Sequence, residues 1–301
     1  MSGFEFERVL ATGGGGQLAS DLEALLGGEC DFQARSHAEL DIADADALAR
    51  VFAETRPDVV FNCAAFHNVE VCEREEQQSF AVNATAVKRM AELCDEHGAR
   101  LVHLSTNYVF DGAAEAPYEE HDAPSPQSIY ALSKLAGEYT ALTYAPGALV
   151  VRTGGLYGRF GSASKGGNFV TRMIDRAREQ GELAVVADQR LSPTATADLA
   201  VAVVEAVKAD ASGLLHLTAS GSCSWHEFTE AIVELAGVEV EVRPTVTERQ
   251  PGAARRPLNG VLARPRADAL GLTPLPHWRQ QLEGYMAAAE LLPQEPLSAP
   301  R

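Results

Sequence analysis

The chain of 301 residues carries 42 acidic against 25 basic side chains, a formal net charge of −17, with 21 Arg, 4 Lys and no basic cluster. Such a surface is a poor partner for nucleic acid or an anionic membrane. Hydrophobic and charged fractions of 46% and 22% are those of a soluble globular protein with one large domain or two unequal ones. Five scattered cysteines (Cys30, Cys63, Cys72, Cys94, Cys223) show no Cys-x-x-Cys and no paired His spacing, so neither a disulfide framework nor a zinc site is expected. Met1 to Glu7 holds two glutamates and no apolar run. The most apolar segment, Leu199 to Val207, contains Glu205 and is too short to span a bilayer, which points to a cytoplasmic protein.

Arg8 to Thr12 is a short apolar strand running into Gly13-Gly14-Gly15-Gly16-Gln17-Leu18-Ala19, after which Leu18, Leu22, Leu25 and Leu26 recur at helical spacing. Gly14-x-Gly16-x-x-Ala19 fits the dinucleotide fingerprint, in which glycines let backbone approach a pyrophosphate whose charge sits on the helix N-terminus. A second strand is expected near Cys30 to Ala34. An NAD-binding chain usually places Asp or Glu at its end; here Gln33-Ala34-Arg35-Ser36 suits a 2′-phosphate and favours NADP(H), with NADH as the alternative. Asp41-Ile42 opens a helical segment, Asp44 to Glu54, where Asp41 reaches the adenine or caps. Asp58 to Phe61 is a third strand, leading into Asn62-Cys63-Ala64-Ala65, whose small residues leave room for a cofactor lying across the sheet. One long helix is expected from Glu75 to His97, with Asn83 inside it bonding a neighbouring strand. The fourth strand, Arg100 to Ser105, ends at Thr106-Asn107-Tyr108, and the loop Ala113 to Pro126 leads to the next helix.

That helix carries Tyr130-Ala131-Leu132-Ser133-Lys134, a phenol and an ammonium one turn apart on one face. A Lys held near a Tyr lowers the phenol's pKa and makes it a proton donor or acceptor near neutral pH. The same pair occurs in ordinary amphipathic helices, so its meaning rests on its surroundings. Ala148 to Arg152 is a fifth strand and completes an alternating βαβ pattern, hence an α/β fold with a Rossmann-type doubly wound parallel sheet. After Thr153 come Gly154, Gly155, Gly158, Gly161, Gly166 and Gly167, then a helix at Asn168 to Glu179 and a strand at Leu183 to Val186. Asp198 to Lys208 (helix) and Gly213 to Leu217 (strand) are expected to return to the main sheet. Trp225 to Ala236 is a further helix, and the proline-rich remainder is expected to be irregular. The expected organisation is an NAD(P)-binding domain at 1–152, rejoined by 192–217, and a smaller substrate-binding lobe from 153–191 and 218–301.

Together these segments resemble the extended short-chain dehydrogenases/reductases and, within them, the dTDP-4-dehydrorhamnose reductases. The resemblance covers nearly the whole chain. Its parts are the Thr12 to Leu18 glycine turn, Asn62 to Ala65, Ser105 to Gly112, Ser128 to Glu138, Val151 to Thr153, Asn168 to Val170, Asp188 to Thr194, Cys223 to Phe228, and Arg256 to Asn259. It implies NAD(P)H-dependent reduction of the C4 keto group of a nucleotide-linked 4-keto-6-deoxy sugar. Tyr130 would protonate the carbonyl oxygen. Lys134 would hold the nicotinamide ribose hydroxyls and depress the Tyr130 pKa, and Thr106 would bond the developing alkoxide. The cofactor set would be Gly13, Gly16, Gln17, Leu18, Arg35, Asp41, Ile42, Cys63, Ala64, Ala65 and Asn83 with Tyr130 and Lys134. The substrate set would be Thr106, Asn107, Asn168 and Arg256, with the loop Arg249 to Asn259 on the diphosphate. A nucleotide sugar, and a second copy of the chain in a homodimer, are the implied partners.

Four positions depart from that pattern: Asn107 stands where Asp is usual, Gly154-Gly155 where Ser-Trp is usual, and Leu191 where a glycine is usual. Asp21 and Asp198 fall where some members hold Mg²⁺ between subunits; read on their own they are a solvated helix residue and a helix N-cap, and no metal is expected. A sugar-nucleotide dehydratase would need a carboxylate after Thr106, where this chain has Asn107-Tyr108. A 4-epimerase would use the same Tyr and Lys, and a cofactor-binding regulatory subunit resembling methionine adenosyltransferase β would share the fold.

Overall fold

The computed structural model of the protein describes residues 6–160, 167–248 and 252–293. The first half alternates strand and helix: β1 (Arg8–Thr12), α1 (Gln17–Leu26), β2 (Asp31–Arg35), α2 (Ala45–Thr55), β3 (Val59–Asn62), α3 (Val69–Arg74) and α4 (Glu76–Phe80). A π-turn (Ala81–Thr85) joins α4 to α5 (Ala86–His97), and β4 (Arg100–Thr106), α6 (Ile129–Tyr144), β5 (Leu149–Thr153) and β6 (Leu156–Tyr157) follow. The second half holds α7 (Phe169–Glu179), β7 (Glu182–Val186), β8 (Arg190–Leu191), β9 (Thr194–Ala195), α8 (Thr196–Lys208), β10 (Gly213–His216), β11 (Cys223–Ser224), α9 (Trp225–Leu235), β12 (Glu241–Thr245), α10 (Pro265–Ala269) and α11 (Trp278–Ala288).

Six strands make one parallel sheet in the order β10-β5-β4-β3-β1-β2. Alternation along each strand feeds two cores. Val9, Ala11, Phe61, Val102 and Val151 pack with Leu18, Leu22, Leu199 and Val203 of α1 and α8. Leu10, Val60, Leu101 and Val150 pack with Leu48, Phe52, Met90 and Ala141 of α2, α5 and α6. The expected return of the 198–217 segment is seen: α8 lies against α1, and β10 adds the edge strand beside β5. Strand order reverses at β1, between β2 and β3, which places the ligand crevice beyond the C-terminal ends of these strands.

The helical stretch expected over 75–97 is seen from 76 to 97 as α4, the π-turn and α5 in unbroken succession, with α3 before it. Two expectations are corrected. Asn83, inside the π-turn, bonds a loop rather than a strand: its Oδ1 accepts from Phe66 N (2.9 Å), and its Nδ2 donates to Phe66 O (2.9 Å) and Ser133 Oγ (3.0 Å). The C-terminal stretch is more ordered than its prolines suggest. Strand β12 pairs in parallel with β7, away from the main sheet, and α11 joins α7 and α9 around Tyr157, Phe228 and Trp278. No helix among the described residues is long and apolar enough to cross a membrane.

Candidate active site

The glycine turn closes on the ends of its neighbouring strands. Gly13 has φ +76°, and a Cβ there would lie 2.9 Å from Ala64 N; a Cβ on Gly14 would lie 2.9 Å from Arg35 C and Ser36 N. Bare backbone is therefore all that fits between β1, β2 and the Cys63-Ala64 turn. The first N–H groups of α2, α6, α7 and α9 are taken by the side chains of Asp44, Ser128, Asn168 and Ser224, whereas Gly16 at the start of α1 offers none. Gln17 Oε1 beside it is buried without a partner. A helix N-terminus left open above glycines and an orphaned amide fits the pyrophosphate of a dinucleotide.

Arg35 reaches the crevice rim from the end of β2, its Nη2 on Gln33 Oε1 at 2.8 Å. Ser36 is already engaged, its N–H and hydroxyl both donating to Glu39 Oε2 at 2.8 and 2.6 Å. Asp41 is exposed and accepts from Ala43 N at 3.0 Å, a turn role, and Ile42 lies in the core at 4% exposure. Leu18 is core as well, while Cys63, Ala64 and Ala65 remain partly exposed at the mouth.

Helix α6 brings Tyr130 and Lys134 under the end of β4. Ser128 caps its start, accepting from Ala131 N at 3.2 Å, and Glu73 of α3 accepts from Ile129 N at 2.8 Å. The Tyr130 hydroxyl bonds the Thr106 side chain, and its ring meets Tyr108 edge-on, centroids 5.9 Å apart. The expected lowering of the Tyr130 pKa by Lys134 is not what the structure shows. Burial raises it, the Thr106 bond offsets part of the rise, and Lys134 turns instead toward His103, Nζ to Nε2 3.4 Å. Lys134 is itself pushed down to about 8 by burial, against the favourable field of Glu138.

Tyr108, against which the Tyr130 ring packs, lines a cavity of about 30 Å³ together with Asn107, Gly155, Arg190, Leu191 and Trp225. Asn107 is locked in its wall, donating from Nδ2 to Gly260 O at 2.9 Å. Gly155 has φ +61°, and a Cβ on it would lie 2.7 Å from Leu191 Cδ1 and 3.1 Å from Pro193 Cα, so Leu191 occupies the space a side chain at 155 would need. Arg256 meets the site through Tyr108. It pairs with Glu70 at 2.9 Å and bonds the Tyr108 hydroxyl. Of the loop expected to hold a diphosphate, 249–251 lie outside the described residues.

One expected substrate residue is used internally. Asn168 caps α7 through Oδ1, and both its amide hydrogens are taken, by Gly158 O and Tyr285 Oη at 2.7 Å each, which leaves it no donor for a substrate. Asp21 is buried rather than solvated and accepts from Thr196 Oγ1 at 2.5 Å; Asp198 lies in the first turn of α8, whose cap is Ala195. Burial raises both carboxyls. No three His, Cys, Asp or Glu side chains converge as a metal set among the described residues. What sequence reasoning missed is the support behind the site. Glu138 accepts from Arg152 Nε and Nη2 at 2.8 and 2.7 Å and from Ser105 Oγ at 2.5 Å, all buried.

The description "RmlD substrate binding domain" is that of the family model matching residues 7–291. The dTDP-4-dehydrorhamnose reductase of Mycobacterium tuberculosis (strain H37Rv) is 40% identical over 94% of this chain and 93% of its own length. The dTDP-4-keto-6-deoxy-D-glucose reductase of Streptomyces niveus is 37% identical, over 92% and 95%. In structure, the dTDP-4-dehydrorhamnose reductase of Bacillus anthracis in complex with NADP superposes with a TM-score of 0.89 at 35% identity, covering 94% of this chain and 100% of that one.

Proposed function

Because the chain belongs to the family of the RmlD substrate binding domain, we propose that it is an NADPH-dependent oxidoreductase reducing the C4 keto group of a dTDP-linked 4-keto-6-deoxy sugar. dTDP-4-dehydro-L-rhamnose is the first candidate. The observation that carries this reading is the Tyr130 hydroxyl, bonded to the Thr106 side chain, with its ring packed on Tyr108 of the cavity wall, in a chain whose first helix opens on an uncapped glycine turn.

NADPH, when bound, supplies the hydride for the C4 carbon. Gly13, Gly14, the N-terminus of α1 and Gln17 would hold its pyrophosphate, and Arg35 its 2′-phosphate. With the sugar carbonyl against Tyr130 and Thr106, the phenolic O–H passes its proton to the C4 oxygen as negative charge develops there, and Thr106 Oγ donates to the same oxygen. The C=O bond becomes H–C–O–H, and Tyr130 is left as phenolate to be reprotonated. Burial raises its pKa, so the phenol enters the reaction protonated and acts as an acid. Ring packing against Tyr108 fixes its direction. Positioning and a general acid of this kind are worth about 10² to 10⁴ in rate.

The lobe carrying α7, α9 and α11 is assigned to the substrate, and Arg256 to its diphosphate. Arg256→Ala is expected to raise the KM for the nucleotide sugar about tenfold with little change in kcat, since one charge-assisted contact contributes roughly 1.5–3 kcal/mol. Steady-state kinetics over sugar concentration checks it, and an unchanged KM removes Arg256 from the site. The absence of a nucleic-acid partner belongs to the same reading, supported by the net charge of −17, and a cytoplasmic location goes with it.

The test is loss of NADPH absorbance on mixing the protein with dTDP-4-dehydro-6-deoxy-L-mannose, repeated with NADH. Prompt oxidation supports the reading. Tight NADPH binding without oxidation of this or other keto-sugar nucleotides would favour a regulatory, cofactor-binding role.

A further inference from the structure

The small cavity lined by Tyr108 and Leu191 lies one residue along the chain from Thr106. Asn107, in its wall, directly follows Thr106, and Thr106 Oγ1 donates to Asn107 Oδ1 at 3.4 Å. A single water needs about 10–15 Å³ of such space. A cavity of about 30 Å³ therefore admits one group of methyl size and no sugar ring. The polar side chains around it have partners of their own. Asn107 Nδ2 donates to Gly260 O at 2.9 Å, Gln189 Nε2 donates to Thr247 Oγ1 at 2.8 Å, the Arg190 guanidinium pairs with Glu227 at 3.3 Å, and the Tyr108 hydroxyl meets Arg256. A hydroxyl entering here competes for groups that are already taken, whereas a methyl finds Leu191 and Trp225.

Two side chains set the dimensions of this cavity. Positions 154, 155 and 260 are glycines, and the space that a Cβ would need is filled by the Asn107 amide at 154 and 260 and by Leu191 Cδ1 at 155. Asn107 is 3% exposed and anchored on Gly260, so it has no room to draw back. Trp225, the other large group of the wall, is braced on Phe169 with ring centroids 4.4 Å apart. Leu191 is 5% exposed, and its backbone is held in the β8–β11 pair opposite Cys223, while Gly155 O accepts from Thr194 N at 3.3 Å. With both backbones fixed, the length of the side chain at 191 decides how deep the cavity is.

A 4-keto-6-deoxy hexose linked to a nucleotide carries hydroxyls at C2 and C3 and the diphosphate at C1. Its apolar substituent is the C6 methyl, on the carbon beside C4. With the C4 oxygen on Tyr130 and Thr106, that methyl is the part of the sugar whose size and polarity match a cavity next to Asn107. We propose that this cavity receives the C6 methyl and that Leu191 is the residue that discriminates a methyl from a hydroxymethyl at C5. The inference deepens the reductase reading and rests on it for the position of C4. A hydroxymethyl in the same place has to push Leu191 aside, and its oxygen gives up water for a wall whose polar side chains are engaged.

The reduced products are stable and serve as probes. dTDP-6-deoxy-L-mannose and its 6-hydroxy counterpart, dTDP-L-mannose, are titrated calorimetrically into NADP-saturated protein, with dTDP as the reference that carries no sugar. The wild type should bind the 6-deoxy compound about 10- to 100-fold more tightly than the 6-hydroxy compound. Leu191→Ala should bind the 6-deoxy compound about tenfold less tightly and the 6-hydroxy compound no less tightly, so that the ratio falls about tenfold or more, while dTDP binds as before. A merely structural role for Leu191 would weaken both sugars together and leave the ratio where it was. An unchanged ratio, or a wild type without preference, overturns the proposal. Should Leu191→Ala not fold, Leu191→Val decides: one carbon shorter, it should lower the ratio about threefold, and an unchanged ratio again overturns the proposal. Failure of the reductase reading looks different: the wild type then binds neither sugar nucleotide and oxidises no NADPH, and the proposal falls with it.

Discussion

Tyr130→Phe is expected to turn over the keto-sugar about 10² to 10⁴ times more slowly than the wild type while binding NADPH with nearly the same affinity. The substitution removes one oxygen. The ring keeps its edge-on packing against Tyr108 and its place on α6, so the cradle for the cofactor at the end of β1, far along the chain, has no reason to move. What is lost is the phenolic proton assigned to the substrate oxygen, and the Thr106 hydroxyl is too weakly acidic to replace it. Stopped-flow oxidation of NADPH gives the rate, and quenching of protein fluorescence by NADPH gives the affinity. A variant within threefold of wild-type turnover would remove Tyr130 from the chemistry altogether.

The second large effect concerns stability. Glu138→Ala leaves the Arg152 guanidinium buried at 3% exposure without its carboxylate, 5.0 Å over the Phe110 ring and with Nη1 already lacking a partner. Breaking one side of a buried ion pair costs about 3–5 kcal/mol, because the surviving charge has no water to return to. The pair's own net contribution is smaller. Glu138→Ala combined with Arg152→Met should therefore lose clearly less than the two single changes summed, a coupling that urea unfolding of the four proteins measures. Additive losses, or a single-variant midpoint equal to wild type, would refute this account. The same carboxylate favours the charged form of Lys134, so Glu138→Ala should also move the alkaline limb of activity to lower pH.

How much of this was legible in the sequence follows the separation of the residues involved. The glycine turn, the strand before it and the helix after it are contiguous, and their apolar period announces them between Arg8 and Leu26. Tyr130 and Lys134 are one helical turn apart, and the helix needs nothing distant to align them. The supports are a different matter. Asn62 meets His103 from 41 positions away, Thr12 meets Asn62 from 50, and Ser105 reaches Glu138 across 33. Each of these is an unremarkable polar residue until the strands are laid side by side. Asn168 misled because its helix-capping role and a ligand role use the same amide. The π-turn inside the helical stretch expected over 75–97 was hidden because Ala81 to Thr85 continues the helix while adding one residue to the turn. The lobe after Thr153 was least readable. Its two-residue strands β6, β8, β9 and β11 carry too few side chains for a period, and its aromatic centre around Phe228 is assembled from four separate segments.

Gly155 and Leu191 also bear on the chain's history. With the left-handed backbone at 155, and the end of Leu191 in the volume above it, a side chain introduced at 155 strains the backbone and has to displace Leu191 Cδ1. The two sites are thus expected to be epistatic: a bulky residue at 155 should be better tolerated once position 191 is small than with Leu191 in place.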